Sequence, residues 1–186
     1  MKRIVLVFAL SILFSNQAFS QRFALKSNAL YALTSTPNIG AELAVSQRVT
    51  LNLTGGVFAR SFSGDKSFKH WMIQPEVRFW TSEKYKKLFF GVHGVITNYD
   101  IAYARLPFGI FKNRRYDGEG YGGGLTCGYN LPLSSHWNLE LVLGLGYIHF
   151  EYDKYWSGQG YPMHMGYFKN EYFGLTKLGA SFAYVF

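Results

Sequence analysis

The stretch that decides the fold is residues 137–150, which read Trp137-Asn138-Leu139-Glu140-Leu141-Val142-Leu143-Gly144-Leu145-Gly146-Tyr147-Ile148-His149-Phe150. Its odd positions carry a row of large, mostly apolar side chains, whereas its even positions include Asn138, Glu140 and two glycines. A two-residue alternation of this kind is typical of a β-strand with one apolar face. The segment therefore predicts a strand whose two faces meet different surroundings.

The same alternation recurs along the chain. In residues 71–81 apolar positions oppose Gln74, Glu76 and Arg78, and in residues 170–186 Tyr172 shares its parity with the apolar row from Leu178 to Phe186. The pattern predicts eight strands, at about 24–33, 38–46, 49–60, 71–81, 88–100, 118–131, 137–152 and 170–186. The fold class is therefore predicted to be all-β.

The connections alternate between short and long. Tight turns follow the second, fourth and sixth strands, whereas longer loops at 61–69, 101–117 and 153–169 follow the third, fifth and seventh. Outer-membrane barrels have even strand numbers, short periplasmic turns and longer outside loops. We therefore predict an eight-stranded antiparallel up-and-down transmembrane β-barrel. Aromatic girdle residues are expected near the strand ends, at Trp71, Tyr99, Tyr121, Tyr129, Trp137, Tyr147, Tyr172 and Phe186.

A soluble barrel of the lipocalin type is the alternative fold, because it shares the strand count but places large apolar residues inside. Two features favour the membrane barrel. Glycines are crowded on the face opposite the apolar one, where side chains converge in a narrow lumen. The chain also ends in Phe182, Tyr184 and Phe186, which resemble the C-terminal signal that barrel-insertion machinery recognises.

The first twenty residues predict a signal peptide. Lys2 and Arg3 precede an apolar run from Ile4 to Phe14, and Ala18-Phe19-Ser20 provides small residues for cleavage after Ser20. The domains are therefore predicted as 1–20 signal peptide and 21–186 barrel. In a chain of 186 residues with one cysteine, a disulfide framework and a multi-cysteine zinc site are excluded. That cysteine, Cys127, falls on the apolar face.

Three segments carry a resemblance to a known family: Leu25 to Tyr31, Thr36 to Glu42, and Lys69 to Trp80. They resemble the signature segments of an uncharacterised Bacteroidota family that is catalogued as a domain of unknown function and regarded as an outer-membrane barrel. The resemblance implies a location and an architecture, and no activity. In shape the protein is similar to the small OmpA and OmpX barrels.

The charged residues on the inward face are the feature of the sequence that says most about the interior of the barrel. With the apolar face outward, we expect a lumenal charge network of Lys26, Glu42, Arg60, Glu76, Arg78, Glu140 and Lys177. Side chains fill the lumen of an eight-stranded barrel, and buried charges there must pair. We therefore predict a lumen plugged by ion pairs. A narrow pore through the same residues is the alternative.

An enzymatic function is not expected. A lipid A-modifying enzyme is the weaker alternative, because His149 and Glu151 share one face but the nearest downstream hydroxyl, Ser157, lies in a predicted loop. We expect no cofactor and no metal.

The expected partners are outer-membrane lipid, lipopolysaccharide and the barrel-insertion machinery, without nucleic acid, for a monomer in the cell outer membrane. Partner-binding loop residues are predicted at Arg105, Lys112, Arg114, Arg115, Tyr155 and Trp156.

Overall fold

A computed structural model describes residues 23–33, 36–61, 67–102, 114–157 and 162–186. The predicted signal peptide lies outside these residues. The described chain consists of eight strands and one short helix. In chain order these are β1 Phe23–Asn28, α1 Ala29–Leu33, β2 Asn38–Ala44, β3 Val49–Ser61, β4 Ser67–Trp80, β5 Lys87–Ala102, β6 Arg114–Pro132, β7 Trp137–Ser157 and β8 Pro162–Val185.

The strands form a closed barrel with the simplest possible order. Each strand pairs antiparallel with the next one along the chain, and β1 pairs antiparallel with β8 to close the ring. The predicted all-β, eight-stranded, antiparallel up-and-down fold is confirmed. In the described part of the chain, no helix is long and apolar enough to cross a bilayer.

Most of the large apolar side chains of the barrel lie on the outside. Leu141, Leu143 and Phe182 are exposed to 50%, 49% and 51%, whereas Glu76 and Arg78 are exposed to 3% and 1%. A lipocalin-type barrel would have the opposite orientation. The apolar belt is the outward row of large apolar residues at Leu51, Leu53, Val57, Ile73, Val77, Phe79, Phe90, Val92, Ile96, Leu125, Leu141, Leu143, Leu145, Phe173, Leu175, Leu178 and Phe182.

The first strand is shorter than predicted. The sequence pattern suggested a strand to residue 33, but β1 ends at Asn28 and α1 follows. The backbone N–H of Leu30 donates to Asn28 Oδ1 at 3.0 Å, which is the bond that an N-cap residue makes. Asn28 therefore turns the chain out of the sheet, and the residues after it favour a helix.

The strands at the loop end are longer than predicted. The predicted loop 153–169 is largely strand, since β7 and β8 pair from Trp137 to Ser157. The predicted loop 101–117 is likewise shortened by β5 and β6. β1 and β2 have 6 and 7 residues, whereas β7 and β8 have 21 and 24. We call residues 98–102, 114–120, 149–157 and 162–171 the upper sheet, and the rest of the strands the lower barrel.

Two bulges interrupt β8. Its register against β7 shifts between Leu175 and Lys177 and again between His164 and Gly166. Because the first bulge adds a residue, Tyr172 pairs with the buried Ile148 and Phe173 pairs with the outward Tyr147. The prediction that Tyr172 shares the face of Leu178 and Phe182 is therefore wrong. The bulge reverses the parity of the strand.

A close approach of two backbones explains one part of the glycine-rich face. Gly124 of β6 lies opposite Gly146 of β7. A Cβ atom added at Gly124 would lie 2.2 Å from the carbonyl oxygen of Leu145 and 2.7 Å from the Cα of Gly146. No side chain fits there, so the glycines allow the backbones of β6 and β7 to approach each other closely.

Candidate functional site

The candidate site is the closed interior of the lower barrel, and Arg78 of β4 lies at its centre. Its Nε donates to Glu76 Oε2 at 2.7 Å. Its Nη1 donates to Glu42 Oε2 at 2.8 Å and to Glu140 Oε2 at 2.7 Å. One guanidinium group thus joins carboxylates from β2, β4 and β7, three strands that are not neighbours in the ring. A planar guanidinium suits this role because its donors point in fixed directions.

Lys26 extends the network on the β1 side. Its ammonium group donates to Glu140 Oε2 at 2.8 Å and also pairs with Glu42 Oε2. The hydroxyl of Thr50 donates to the other oxygen of Glu42. Glu42 and Glu140 therefore each accept from both Lys26 and Arg78, which ties the first two strands to β4 and β7.

Lys177 completes the network on the β8 side, where its Nζ donates to Glu76 Oε2 at 2.8 Å. The charge network accordingly consists of three cations and three carboxylates, Lys26, Arg78, Lys177, Glu42, Glu76 and Glu140, all buried. Its formal charge balances at zero. Pairing of this kind offsets the large cost of burying each ion alone.

A second polar layer lies toward the loop end. His93 sits between two threonines, with Nδ1 2.7 Å from Thr126 Oγ1 and Nε2 2.9 Å from Thr176 Oγ1. The side chain of Gln74 donates to the carbonyl oxygen of Thr176 at 3.0 Å. Thr176 and Lys177 both face inward because they occupy the β8 bulge. The bulge therefore supplies two neighbouring polar groups to the interior.

Aromatic residues close the turn end beneath the charges. The ring centroids of Trp80 and Phe89 are 4.7 Å apart, and the Arg78 guanidinium carbon lies 4.3 Å from the Phe89 centroid. The Trp80 indole donates to Thr50 Oγ1 at 2.9 Å. Tyr85 folds in from the turn after β4, with a φ of 62°, and is buried there. Burial raises the pKa of the Tyr85 phenol above its ordinary value.

The structure brings six of the seven predicted lumenal residues together. The side chain of the seventh, Arg60, lies outside the described part of the chain. Sequence reasoning missed Trp80 and Phe89, although Trp80 has the same parity as Arg78 and could have been assigned inward on that basis. It had no signal for Tyr85, which lies in a turn.

The predicted C-terminal signal residues lie at the turn end of the outer surface. The ring centroids of Tyr184 and Phe186 are 4.8 Å apart, and those of Tyr184 and Trp137 are 5.2 Å apart. The backbone N–H of Phe186 donates to the carbonyl oxygen of Phe23. Phe182 and Phe186 are about half exposed. The last residues thus form an outward aromatic patch rather than part of the interior.

The outer face of the upper sheet carries titratable groups. Glu151 Oε1 is 3.2 Å from His149 Nε2 and 2.8 Å from Lys169 Nζ, and Tyr167 donates to the other carboxylate oxygen. His149 and Glu151, the pair considered for an enzyme, are therefore in contact. The side chain of Ser157 is outside the described residues. Within the described ranges, no group of three or more His, Cys, Asp or Glu side chains could hold a metal ion.

The inner face of the upper sheet is aromatic. Ring centroids lie 5.9 Å apart for Tyr99 and Phe150, 5.5 Å for Tyr116 and Tyr152, and 6.0 Å for Tyr152 and Phe168. The ammonium group of Lys154 lies 5.5 Å from the Phe168 centroid. Such rings form a row above the open end of the barrel.

Part of the predicted loop surface belongs to the upper sheet. Arg115 pairs with Asp100 through two bonds of 2.9 Å, and its guanidinium carbon is 5.9 Å from the centroid of Tyr155. Trp156 is exposed. Arg105, Lys112 and the side chain of Arg114 lie outside the described residues.

Comparison with known proteins returns one family. Residues 4–186 match the family described as "Protein of unknown function (DUF3575)". No curated protein and no solved structure matches the chain.

Proposed function

The chain belongs to the DUF3575 family of proteins of unknown function, and on that premise we propose that it is an integral outer-membrane β-barrel with a lumen plugged by ion pairs. One observation carries the proposal: the apolar belt faces outward while the charge network is buried inside. In water this orientation would expose a large apolar surface, whereas a bilayer covers it. The Bacteroidota source and the likeness to OmpA and OmpX stay predictions from the sequence.

The strand geometry supports a membrane span. A membrane strand needs about 9–11 tilted residues. On β7, the outward apolar row from Trp137 to Tyr147 covers this length, and the next outward residues are His149 and Glu151. The row therefore ends where polar headgroups would begin.

A plug is favoured over a narrow pore because the interior is filled. Arg78, Glu42 and Glu140 are paired across the barrel, and Trp80, Tyr85 and Phe89 lie beneath them. We expect purified protein in planar bilayers to show no pore-sized conductance. Steady conductance of porin magnitude, carried by the wild-type protein and persisting in Glu76→Ala and Arg78→Ala variants, would overturn the plug.

The proposed role is structural or adhesive, through surface interactions at the loop end. Arg115 and the exposed aromatic Trp156 are the described residues suited to phosphates and sugars of lipopolysaccharide. The aromatic C-terminus suits recognition by barrel-insertion machinery. Nucleic acid is not among the proposed partners.

We propose no catalytic activity. His149 and Glu151 form a pair, but Glu151 also binds Tyr167 and Lys169, so the pair is part of a polar cluster on the outer face of the sheet. Lipid A mass spectra from cells with and without the protein are expected to be the same. A reproducible difference in acylation would return the enzyme to consideration.

Heat modifiability tests the proposal at lowest cost. We expect unboiled protein, refolded into detergent or vesicles and run on a denaturing gel, to migrate differently from boiled protein. We also expect outer-membrane fractions to contain it. Recovery in the soluble periplasmic fraction would contradict the proposed location.

A further inference from the structure

The carboxylates of the upper sheet share one face. Strand pairing places Asp100, Asp117 and Asp153 in one row across β5, β6 and β7, on the same side of the sheet as Glu151. In the described part of this sheet, all the carboxylates lie on the outer face, namely Asp100, Asp117, Glu119, Glu151, Asp153 and Glu171. The inner face there has none, so no like charge repels an anion that approaches it.

A lysine lies on that inner face, among aromatic rings. The Lys154 ammonium group is 5.9 Å from the ring centroid of Tyr116 on β6 and 5.5 Å from that of Phe168 on β8. Within the described chain, no carboxylate pairs with it. Rings within about 6 Å attract a cation, but an ammonium group also has three N–H donors for an acceptor. Lys154 therefore offers a positive charge to a ligand.

The rings around Lys154 are accessible. Phe168 is 39% exposed, and Tyr99, Tyr116 and Tyr152 are half-buried. Each tyrosine has an apolar ring and a hydroxyl at its tip, so it can contact an apolar surface and form a hydrogen bond at once. A ligand with both apolar faces and hydroxyl groups matches these side chains.

An amide adds to the polar groups of the inner face. Asn170 of β8 lies opposite Phe150 of β7, and its side chain is exposed. An amide side chain has two donors and one acceptor oxygen, which suits neighbouring hydroxyl groups of a ligand. Aromatic side chains with a few polar groups among them are the usual lining of a binding site for a small molecule.

The inner face is closed below. Val95 of β5 and Ile148 of β7 follow Thr97 and Phe150 toward the lower barrel, and they are 1% and 8% exposed. Beneath them lie Gln74 and the charge network. A ligand on this face therefore enters from the loop end and does not pass through the barrel.

We propose that the inner face of the upper sheet binds a soluble acidic saccharide, with Lys154 at its acidic group and the surrounding aromatic rings at its sugar rings. A hydrogen bond between an ammonium group and an anionic oxygen is about twice as strong as a neutral one. The rings pack against the C–H faces of the sugar, and the tyrosine hydroxyls and Asn170 bind its hydroxyl groups. The separation of charge between the two faces carries this assignment.

The saccharide comes from solution and not from the lipopolysaccharide of the surrounding membrane. Membrane lipids surround the outside of the barrel, whereas this face is directed toward the barrel axis. The outer face, with its six carboxylates, separates the two. This choice of source rests on the membrane location proposed above. The binding itself does not, and it can be measured in detergent.

Titration calorimetry with defined oligosaccharides tests the binding. The probes are an oligomer of galacturonic acid, a sulfated galactose oligomer and sialyllactose, with a neutral galactose oligomer for comparison. We expect the full chain, refolded in detergent, to bind at least one acidic probe about tenfold more tightly than the neutral one. Failure to bind any of the three acidic probes, or equal affinity for the neutral oligomer, overturns the proposal.

Two lysine variants locate the charge that binds. Lys154→Gln is expected to weaken binding of the acidic probe about tenfold or more and to leave the weak binding of the neutral oligomer unchanged. The matched control is Lys169→Gln, which removes the same charge from the outer face, where Lys169 pairs with Glu151. We expect wild-type affinity in the control. Equal losses in both variants would show that only the net charge matters.

Two aromatic variants locate the sugar rings. Phe168→Ala removes a ring beside Lys154 on the inner face, and we expect both acidic and neutral saccharides to bind several-fold more weakly. Tyr167→Ala is the control, because Tyr167 is the next residue but contacts Glu151 on the outer face. Heat modifiability confirms that each variant is folded. A loss in Tyr167→Ala but not in Phe168→Ala would place the saccharide on the outer face.

Competition distinguishes the two sources. Purified lipopolysaccharide in the same detergent is expected not to displace the bound acidic probe. Displacement would make lipopolysaccharide the occupant and overturn the soluble source. Protein that binds the probe in detergent but does not enter vesicles contradicts the membrane location and leaves this site intact. Protein that enters vesicles and is heat-modifiable but binds no acidic probe overturns this site alone.

Discussion

The lower barrel and the upper sheet share strands, but the chemistry of their faces differs. The outer face is apolar in the lower barrel and charged in the upper sheet, whereas the inner face is charged in the lower barrel and aromatic in the upper sheet. On β7 in the lower barrel, Leu143 points outward and Glu140 inward. On the same strand in the upper sheet, Glu151 lies on the outer face and Tyr152 on the inner one. The change occurs between Tyr147 and His149, without any break in the strand. The outer face of a single strand thus changes from apolar to charged along its length.

This difference between the two regions predicts how a substitution in each of them affects stability. In the lower barrel, the strands close into a ring through β1 and β8, and the buried charges are paired inside that ring. In the upper sheet, charged groups such as Glu151 and Lys169 lie on the surface. Among the described residues, β7 is the one strand that pairs with β8 there. We therefore expect substitutions of buried residues in the lower barrel to reduce stability more than substitutions of exposed residues in the upper sheet.

Arg78→Leu is expected to have the largest effect. It leaves Glu42, Glu76 and Glu140 with fewer cationic partners in a buried site, and removal of one member of a buried ion pair costs about 3–5 kcal/mol. Denaturant unfolding in detergent, followed by tryptophan fluorescence, measures the loss. A cost below 1 kcal/mol would show that the interior charges are not desolvated.

Leu143→Arg tests the outer face of the lower barrel. If the apolar belt contacts hydrocarbon, a cation near its middle should cost about 2–4 kcal/mol in vesicles. The control is Met163→Arg at an exposed position on the inner face of the upper sheet, where we expect near wild-type stability because this position lies outside the proposed membrane span. Equal effects of the two substitutions would remove the distinction between the regions.

Gly124→Ala tests the close approach of the β6 and β7 backbones. The added Cβ would lie within 2.2 Å of a backbone oxygen, so we expect a loss of about 1–3 kcal/mol from overpacking. Gly55→Ala is the control, because its nearest atom would be 3.9 Å away. The unfolding midpoints of the two variants measure the difference in their stability. A Gly124→Ala variant as stable as Gly55→Ala would mean that the wall relaxes freely there.

Arg115→Leu should have the smallest effect. Arg115 pairs with Asp100 in the upper sheet, and both side chains are partly exposed. Exposed ion pairs contribute about 0.2–1 kcal/mol. The comparison with Arg78→Leu by the same unfolding assay is informative because both changes remove a guanidinium group. A loss as large as that of Arg78→Leu would contradict the division into two regions.

Much of the lower barrel could be predicted from alternation alone. Glu76 and Arg78 face inward because they alternate with Val77 and Phe79, and parity needs no knowledge of the neighbouring strands. The same rule reaches Trp80, which shares the parity of Arg78 but was not assigned to either face. What parity cannot supply is which charges meet across the ring.

The remaining differences come from local departures from a regular strand. Asn28 ends β1 through a side-chain bond to Leu30, which competes with the ladder. The bulge at Thr176 reverses the faces of Tyr172 and Phe173, and one extra residue leaves no clear trace in an alternation pattern. The inward fold of Tyr85 depends on a turn with positive φ, which the sequence pattern does not report.

The central claim is that the outward-facing apolar belt contacts the hydrocarbon of a bilayer. This claim is tested most directly at Cys127. This cysteine is exposed on β6 and is the one thiol in the chain, so a fluorophore can be attached without other substitutions. With labelled protein refolded into vesicles, we expect quenching by lipid-borne nitroxide and protection from iodide in the buffer. Quenching by iodide without quenching by nitroxide would place this face in water and contradict the membrane barrel.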